Sequence, residues 1–399
     1  MDFVRYRLLQ IGSPPAESTG RSSSARWRRV VAAAFAAFVA AACSAPPTSS
    51  DVSPEATDAE AVFPGSGWER VNPTDAGFDP VVLSTLVSEA AAAGSSCLAV
   101  VRDGKIVVDE HGPGPDMHPR EAFSVTKSLT GLLVGVAVRR AELSLSDRVA
   151  DYIPQWRDTP SAGVTIEHLL TNTSGRQWDA AIDYGEMAAR AADKSAFAIG
   201  LGQDAAPGTE WIYNNSAVQV LAKVIQTATG VHPSDYAQQH IFGPLGMDAS
   251  RLGRDLSGGA MTFMGLNTTC LDLARLGVFM LNNGNWKGMQ IVDADYIRAS
   301  VTPSTDHNRG YGRLWWVNAE GVVASPALAV TGRGDRQTRT GPLVPSAPRD
   351  TFWALGFNNQ IVAVVPEENV VAVRLGPKPP PAAPFGFQEL TTGVLEAIR

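Results

Sequence analysis

Phe123-Ser124-Val125-Thr126-Lys127-Ser128-Leu129-Thr130-Gly131-Leu132-Leu133-Val134-Gly135-Val136 is the stretch whose reading decides the fold. It reads as the opening of a buried helix. Ser124 is expected at the N-cap, where a short hydroxyl side chain satisfies free backbone N–H groups. After Thr130 the run is apolar on nearly every side, as in a core helix. Ser124 and Lys127 are spaced so that their side chains share one helix face and can touch. A serine hydroxyl becomes a useful nucleophile only when a base takes its proton. A lysine held among apolar groups gives up its charge readily, because desolvation disfavours the ammonium form. The helix N-terminus places partial positive charge where an oxyanion would develop. Ser124 is therefore the candidate nucleophile and Lys127 its candidate base. So short a pattern also arises by chance, but this is the only Ser-x-x-Lys in the chain and it opens the most hydrophobic helix of the body.

Working outward, Val81 to Ala93 reads as a helix, and two β-rich runs, Cys97–Val101 and Lys105–Asp109, flank Asp103-Gly104, a strong hairpin signal. From Leu143 to about Ser300 the pattern is helical with Gly and Pro breaks, as in Ala217–Thr229 and Thr269–Leu281. The last hundred or so residues return to strands: Tyr311–Val317, Thr351–Gly356, and a hairpin of Ile361–Pro366 with Asn369–Leu375, before a closing helix at Gln388–Ile398. Strands at both ends with helices between them predict an α+β body, residues 67–150 and 300–399, carrying an all-helical lobe, residues 151–299.

The N-terminal region reads differently. Arg26, Arg28 and Arg29 precede an apolar run from Val30 to Ala42 that ends at Cys43. A basic segment, a short apolar segment and small residues before a cut describe a secretory signal over residues 1–42. Cys43 in the first mature position points to a lipid anchor outside the cytoplasmic membrane, with plain secretion as the alternative. Residues 43–66, rich in Ser, Pro, Thr, Asp and Glu, read as a flexible spacer. The formal net charge is −7, yet the first 42 residues carry six Arg against two acidic groups, which leaves −11 on the remainder. An acidic body argues against nucleic acid as a partner. None of the six His stands in a recognisable metal spacing, and no metal or cofactor is expected. Cys97 sits in a buried strand, where a free thiol behaves as a small hydrophobe, so Cys97 and Cys270 are expected to be two free thiols although a disulfide is open to them outside the cell.

A second candidate cluster is Trp211-Ile212-Tyr213-Asn214-Asn215-Ser216, after the turn Ala206-Pro207-Gly208 and before an apolar helix. Of the seven Tyr, only Tyr213 has Asn two positions on. A tyrosine near a lysine ammonium loses its proton more easily and can act as a base, and Asn215 could hold either Lys127 or a substrate amide.

Taken together, these pieces resemble the penicillin-recognising serine hydrolases: class C β-lactamases, DD-peptidases, β-lactamase-like esterases and 6-aminohexanoate-dimer hydrolases. Ser124-Val125-Thr126-Lys127, then Tyr213-Asn214-Asn215, then a late strand with a small-x-Gly step stand in that family's order. Longer stretches look like family sequence as well: Thr165–Gly175, Ile241–Met247, Asp272–Gly277 and Tyr311–Trp316. The third motif departs from the best-known members, whose strand carries Lys-Thr-Gly or His-x-Gly. The matching stretch here is Ala354-Leu355-Gly356-Phe357-Asn358-Asn359-Gln360. That form, and Trp178-Asp179 shortly after Ser174-Gly175, look most like the 6-aminohexanoate-dimer hydrolase branch.

The resemblance implies an α+β fold of the β-lactamase and penicillin-binding type, an antiparallel sheet flanked by helices with an inserted helical lobe. It implies an extracytoplasmic serine hydrolase that cleaves ester or amide bonds through an acyl-enzyme on Ser124. The backbone N–H groups of Ser124 and Phe357 would form the oxyanion hole, with Trp178, Gly356 and Asn358 against the substrate. The alternatives are a D-alanyl-D-alanine carboxypeptidase or class C-type β-lactamase, and, from another class, a non-catalytic module sensing cell-wall or β-lactam compounds. Retention of Ser, Lys, Tyr and Asn together speaks against a pure binder, which needs no base.

Overall fold

Asp103 and Gly104 take left-handed φ values of 49° and 74°, the conformation a two-residue hairpin turn requires, and so join β1 (Cys97–Arg102) to β2 (Lys105–His111). In this computed structural model, which describes residues 61–112, 118–326 and 338–399, that hairpin pairs with the far end of the chain. The later strands are β3 (Trp316–Val317), β4 (Phe352–Gly356), β5 (Gln360–Val365) and β6 (Val370–Leu375). The sheet order is β2-β1-β6-β5-β4-β3 and every neighbouring pair is antiparallel. Cys43, the signal segment and the spacer up to residue 60 lie outside the described residues.

Five helices frame the sheet and the site: α1 (Pro80–Ala92), α2 (Val125–Arg139), α3 (Asn215–Thr229), α4 (Cys270–Leu281) and α5 (Phe387–Ala397). Strands β5 and β6 are buried at every residue, so both faces of the sheet are covered, which accounts for their continuous Val-rich sequence. On one face Trp353 of β4 donates from Nε1 to Thr391 Oγ1 of α5 at 2.9 Å. On the other, α4 lies so close that a Cβ on Gly277 would sit 2.3 Å from Val371 Cγ1 of β6.

The position of α4 corrects two expectations. Placed in the helical lobe from sequence, it instead packs on the central sheet, and Cys270 at its start is disulfide-bonded to Cys97 of β1, with Cα atoms 6.2 Å apart. The two thiols are not free. The burial expected of Cys97 holds, at 7% exposed, and Cys270 is 1% exposed; what spacing hides is that a helix 173 residues downstream returns to β1. The middle section also contributes Leu266–Thr268 and Arg251–Leu252 to a small sheet with Arg120–Glu121. The expected strand Tyr311–Val317 is mostly a tight loop: Leu314 has φ +61° and Gly312 N donates to Trp315 O at 2.9 Å. The body also begins before residue 67. The rings of Phe63 and Trp286 meet at 5.1 Å, and Arg275 Nη2 donates to Gly65 O at 3.0 Å.

Candidate active site

Every residue of α2 from Val125 to Ala137 is buried, as its sequence predicts, and its first turn carries Ser124 and Lys127. The loop entering it is held from several sides. Phe123 adopts φ +48°, a costly conformation for a bulky residue that persists only where the surroundings impose it. Its N–H donates to Glu121 Oε1 at 3.0 Å, and its carbonyl accepts from Thr126 Oγ1 at 2.5 Å. Glu121 also accepts Gly265 N, and Thr126 Oγ1 accepts Leu266 N, so the small sheet clamps the turn. Ser124 stands at the N-cap as expected, but at φ −68°, ψ −6° its backbone is already helical and its hydroxyl makes no capping bond. The Oγ atom is thereby left for Lys127.

Lys127 Nζ lies 2.8 Å from Ser124 Oγ and 2.9 Å from the Phe263 carbonyl. It is 1% exposed, and burial lowers its pKa to about 7, opposed by the negative charge of Asp183. Lys127 Nζ lies 4.8 Å from the Tyr213 ring centroid. Tyr213 is hydrogen-bonded to Ser124 as well, but burial dominates and pushes its pKa up. The phenol is therefore protonated at neutral pH; the expected tyrosinate base is not favoured here, because desolvation disfavours the anion more than neighbouring groups support it. Tyr213 is stacked on Trp316, centroids 5.7 Å apart, with Tyr311 edge-on at 6.2 Å.

Asn172, at φ +57°, positions this second cluster: its carbonyl accepts Ile212 N at 3.0 Å and its Oδ1 accepts Asn214 N at 3.3 Å. Asn214 caps α3 through Ala217 N at 2.8 Å. Asn215 does not appear on Lys127: its Nδ2 donates to Asp183 Oδ2 at 2.8 Å. Asp183 was not singled out from sequence. It lies in a π-helical segment, Ala181–Ala188, whose hydrogen-bond period departs from the one on which amphipathic patterns rest.

The third motif stands at the end of β4. A Cβ on Gly356 would meet the Ala122 carbonyl at 2.3 Å, so glycine is what lets this strand approach the nucleophile loop. The next residue, Phe357, meets Phe123 edge to face with centroids 5.6 Å apart. Asn358 and Asn359 both take left-handed φ, 63° and 60°. Gln360 Nε2 donates to the Phe357 carbonyl at 3.0 Å and the Gly376 carbonyl at 2.7 Å. Arg374, fully buried, donates from Nη1 to the Asn358 and Asn359 carbonyls at 2.8 and 3.0 Å. The turn that carries Phe357 is thus fixed from beneath by two side chains. Trp178 is 8% exposed and stands before Asp179, whose carbonyl accepts Asp183 N at 2.8 Å; it leads into the segment that carries Asp183. The sequence-predicted Ser124, Lys127 and Tyr213 are brought into contact, Asn215 is one shell behind them, and Gly356 and Phe357 border the nucleophile loop.

Comparison with known proteins gives the same frame. The β-lactamase family model matches residues 83–390. An uncharacterized protein of Alkalihalophilus pseudofirmus is 23% identical over 336 residues, 74% of this chain and 88% of that protein. The 6-aminohexanoate-dimer hydrolase of Paenarthrobacter ureafaciens is 23% identical over 252 residues, 54% of this chain and 62% of that enzyme, so the match spans under two thirds of it. Among solved structures, a Bacillus anthracis protein provisionally called a 6-aminohexanoate-dimer hydrolase superposes with a TM-score of 0.64 at 19% identity, covering 84% of this chain and 86% of its own.

Proposed function

The chain belongs to the β-lactamase family of serine hydrolases, and from that premise we propose that it hydrolyses esters and small amides through an acyl-enzyme on Ser124. The observation that carries this reading is the 2.8 Å contact between Lys127 Nζ and Ser124 Oγ in a buried site. A lysine with its pKa near 7 is largely neutral just above that pH and can accept the serine proton. The Ser124 oxygen then attacks the carbonyl carbon, and the backbone N–H groups of Ser124 and Phe357 receive the oxyanion. Tyr213, protonated and bonded to Ser124, passes its proton to the leaving oxygen or nitrogen and takes one back from the Lys127 ammonium, which leaves the lysine neutral for the next step. Water enters afterwards and releases the acid, with Lys127 again the base.

Substrate choice follows from Ala354, which stands where relatives acting on β-lactams usually carry Lys or His. Alanine offers a substrate carboxylate neither charge nor hydrogen bond, and a charge-assisted hydrogen bond contributes roughly 1.5–3 kcal/mol. Arg339, a candidate replacement from the neighbouring loop, spends its Nη2 on the Pro342 and Leu343 carbonyls. The oxyanion hole is backbone and does not depend on residue 354. We therefore expect kcat/KM for a nitrophenyl butyrate to exceed that for nitrocefin by at least about tenfold, the lower end of that interaction range. A cephalosporin hydrolysed as efficiently as the ester would reverse the assignment in favour of a β-lactamase, and neither nitrophenol release from the ester nor ring opening of the cephalosporin would favour a binding module.

An extracytoplasmic location, with Cys43 lipidated, is part of the same proposal. The buried Cys97–Cys270 disulfide supports it, since such bonds persist in oxidising compartments. Cys43→Ser is expected to move the protein from the membrane fraction to the medium; an unchanged membrane fraction would remove the anchor from the reading.

A further inference from the structure

The carboxylate of Asp183 is the most completely bonded charge near the site, and the catalytic steps above leave it without a role. Oδ2 accepts from Asn215 N at 3.2 Å and Asn215 Nδ2 at 2.8 Å; Oδ1 accepts from Ser216 N at 2.8 Å and Ser216 Oγ at 2.6 Å. All four groups are donors, and two of them are backbone N–H groups of the first turn of α3, where a helix favours negative charge. Three of these partners are N–H groups that can only donate and Ser216 Oγ donates here, so the bonding favours the carboxylate against a burial, at 1% exposed, that pushes its pKa up. An uncompensated charge so deeply buried is costly, which makes its electrostatic interaction with the buried Lys127 informative.

We propose that Asp183 is the positioning residue of the site: it fixes the Asn215 amide and the start of α3, and hence Tyr213 two residues upstream, and it supplies the negative charge against which Lys127 becomes an ammonium when it takes the Ser124 proton. The proposal rests on Ser124 and Lys127 acting as described. In the resting site Lys127 faces Ser124, Tyr213, the Phe263 carbonyl and, through space, Asp183. Tyr184, next to Asp183, is a further titratable neighbour, kept protonated by burial and by its proximity to Tyr213 and Asp183. Asp183 is thus the anion of the cluster, and its charge raises the lysine pKa against the effect of burial. Removing that charge has a definite sign: Lys127 becomes neutral at lower pH but is a weaker base once neutral.

Asp183→Asn should accordingly move the acid limb of kcat/KM for a nitrophenyl ester to lower pH. It should lower plateau kcat about ten- to a hundredfold, the range of one charge-assisted hydrogen bond, with KM little changed. Asp183→Glu, which keeps the charge, should return the limb toward its wild-type position. An NMR titration of the lysine 13Cε signal, assigned by its loss in Lys127→Met, reads the same shift without turnover and so separates this idea from the hydrolase assignment. An unmoved titration in Asp183→Asn overturns the proposal. If Asp183→Asn does not fold, Ser216→Ala, which removes only the Oγ donor, replaces it: a severalfold fall in kcat at constant KM is expected, and wild-type kcat overturns the proposal.

Discussion

At the scale of single residues, the chemistry rests on how far burial moves one lysine. Lys127 falls from the usual ammonium range to about 7 because desolvation outweighs the attraction of Asp183. The base must be neutral to work, so activity is lost as pH falls through that value and regained as it rises. A pH–rate profile for a nitrophenyl ester should show an acid limb near 7, and a limb near 10 would mean that the lysine is not the base. Ser124→Ala should abolish turnover with the fold intact. Lys127→Ala should be nearly as severe, more than about a thousandfold, and the double variant little worse, because residues that act as a unit are not additive. Multiplying losses would show that the two residues serve different steps. Ser124, Lys127 and Tyr213 were legible because their spacing places reactive groups on one helix face or beside a helix start. Asp183 was not, since nothing in Ala181-Ile182-Asp183-Tyr184 marks a carboxylate that will be buried under another helix. The protonated state of Tyr213 was equally hidden, because it depends on the Trp316 and Tyr311 rings packed on it from a distant segment.

At the scale of elements, the hairpin of β4 and β5 makes a similar point. Both strands were readable, β4 from the aromatic run Thr351–Gly356 and β5 from the Val-rich run after Gln360, but the turn that joins them, and what it does, depends on side chains from other strands. Gly356 is required by the approach of Ala122, whereas the side chain of Phe357 is 55% exposed and only its N–H is assigned to the oxyanion. The two neighbours should therefore respond oppositely. Gly356→Ala forces a Cβ to within 2.3 Å of a backbone oxygen, and overpacking of this kind costs about 1–3 kcal/mol. It should lower both Tm and kcat. Phe357→Ala keeps the backbone donor and should retain kcat to within about tenfold, well short of the hundred- to thousandfold loss that follows removal of an oxyanion donor. A hundredfold loss of kcat in Phe357→Ala, with Tm unchanged, would give the ring a catalytic role that this arrangement does not predict. The tight loop at Tyr311–Trp316 was misread as strand because its aromatic composition has high β propensity; those rings are spent on walling Tyr213 and on core packing instead.

At the scale of the whole molecule, the α+β architecture was visible in the order of strand-like and helix-like segments, while the return of α4 to the sheet was not. Periodicity says that Cys270–Leu281 is a helix with an apolar side; it carries no information on which of two apolar surfaces that side will meet. The disulfide resolves this, because it joins the first residue of α4 to the first residue of β1 across 173 positions of sequence. A cross-link over so long a loop restricts the unfolded chain strongly, and loss of such a native bond typically costs about 2–5 kcal/mol. Because α4 packs on β1, β5 and β6 while the site is built from α2, α3 and β4, the cost should fall on stability before geometry. Cys97→Ala with Cys270→Ala, or reduction of the native protein, should lower Tm by several degrees and leave kcat/KM for an ester near its wild-type value below the new transition. Equal Tm in oxidised and reduced protein would show that the packing of Gly277 against Val371 holds α4 unaided. A loss of activity without a loss of Tm would mean that α4 transmits its position through the sheet to the turn at Phe357.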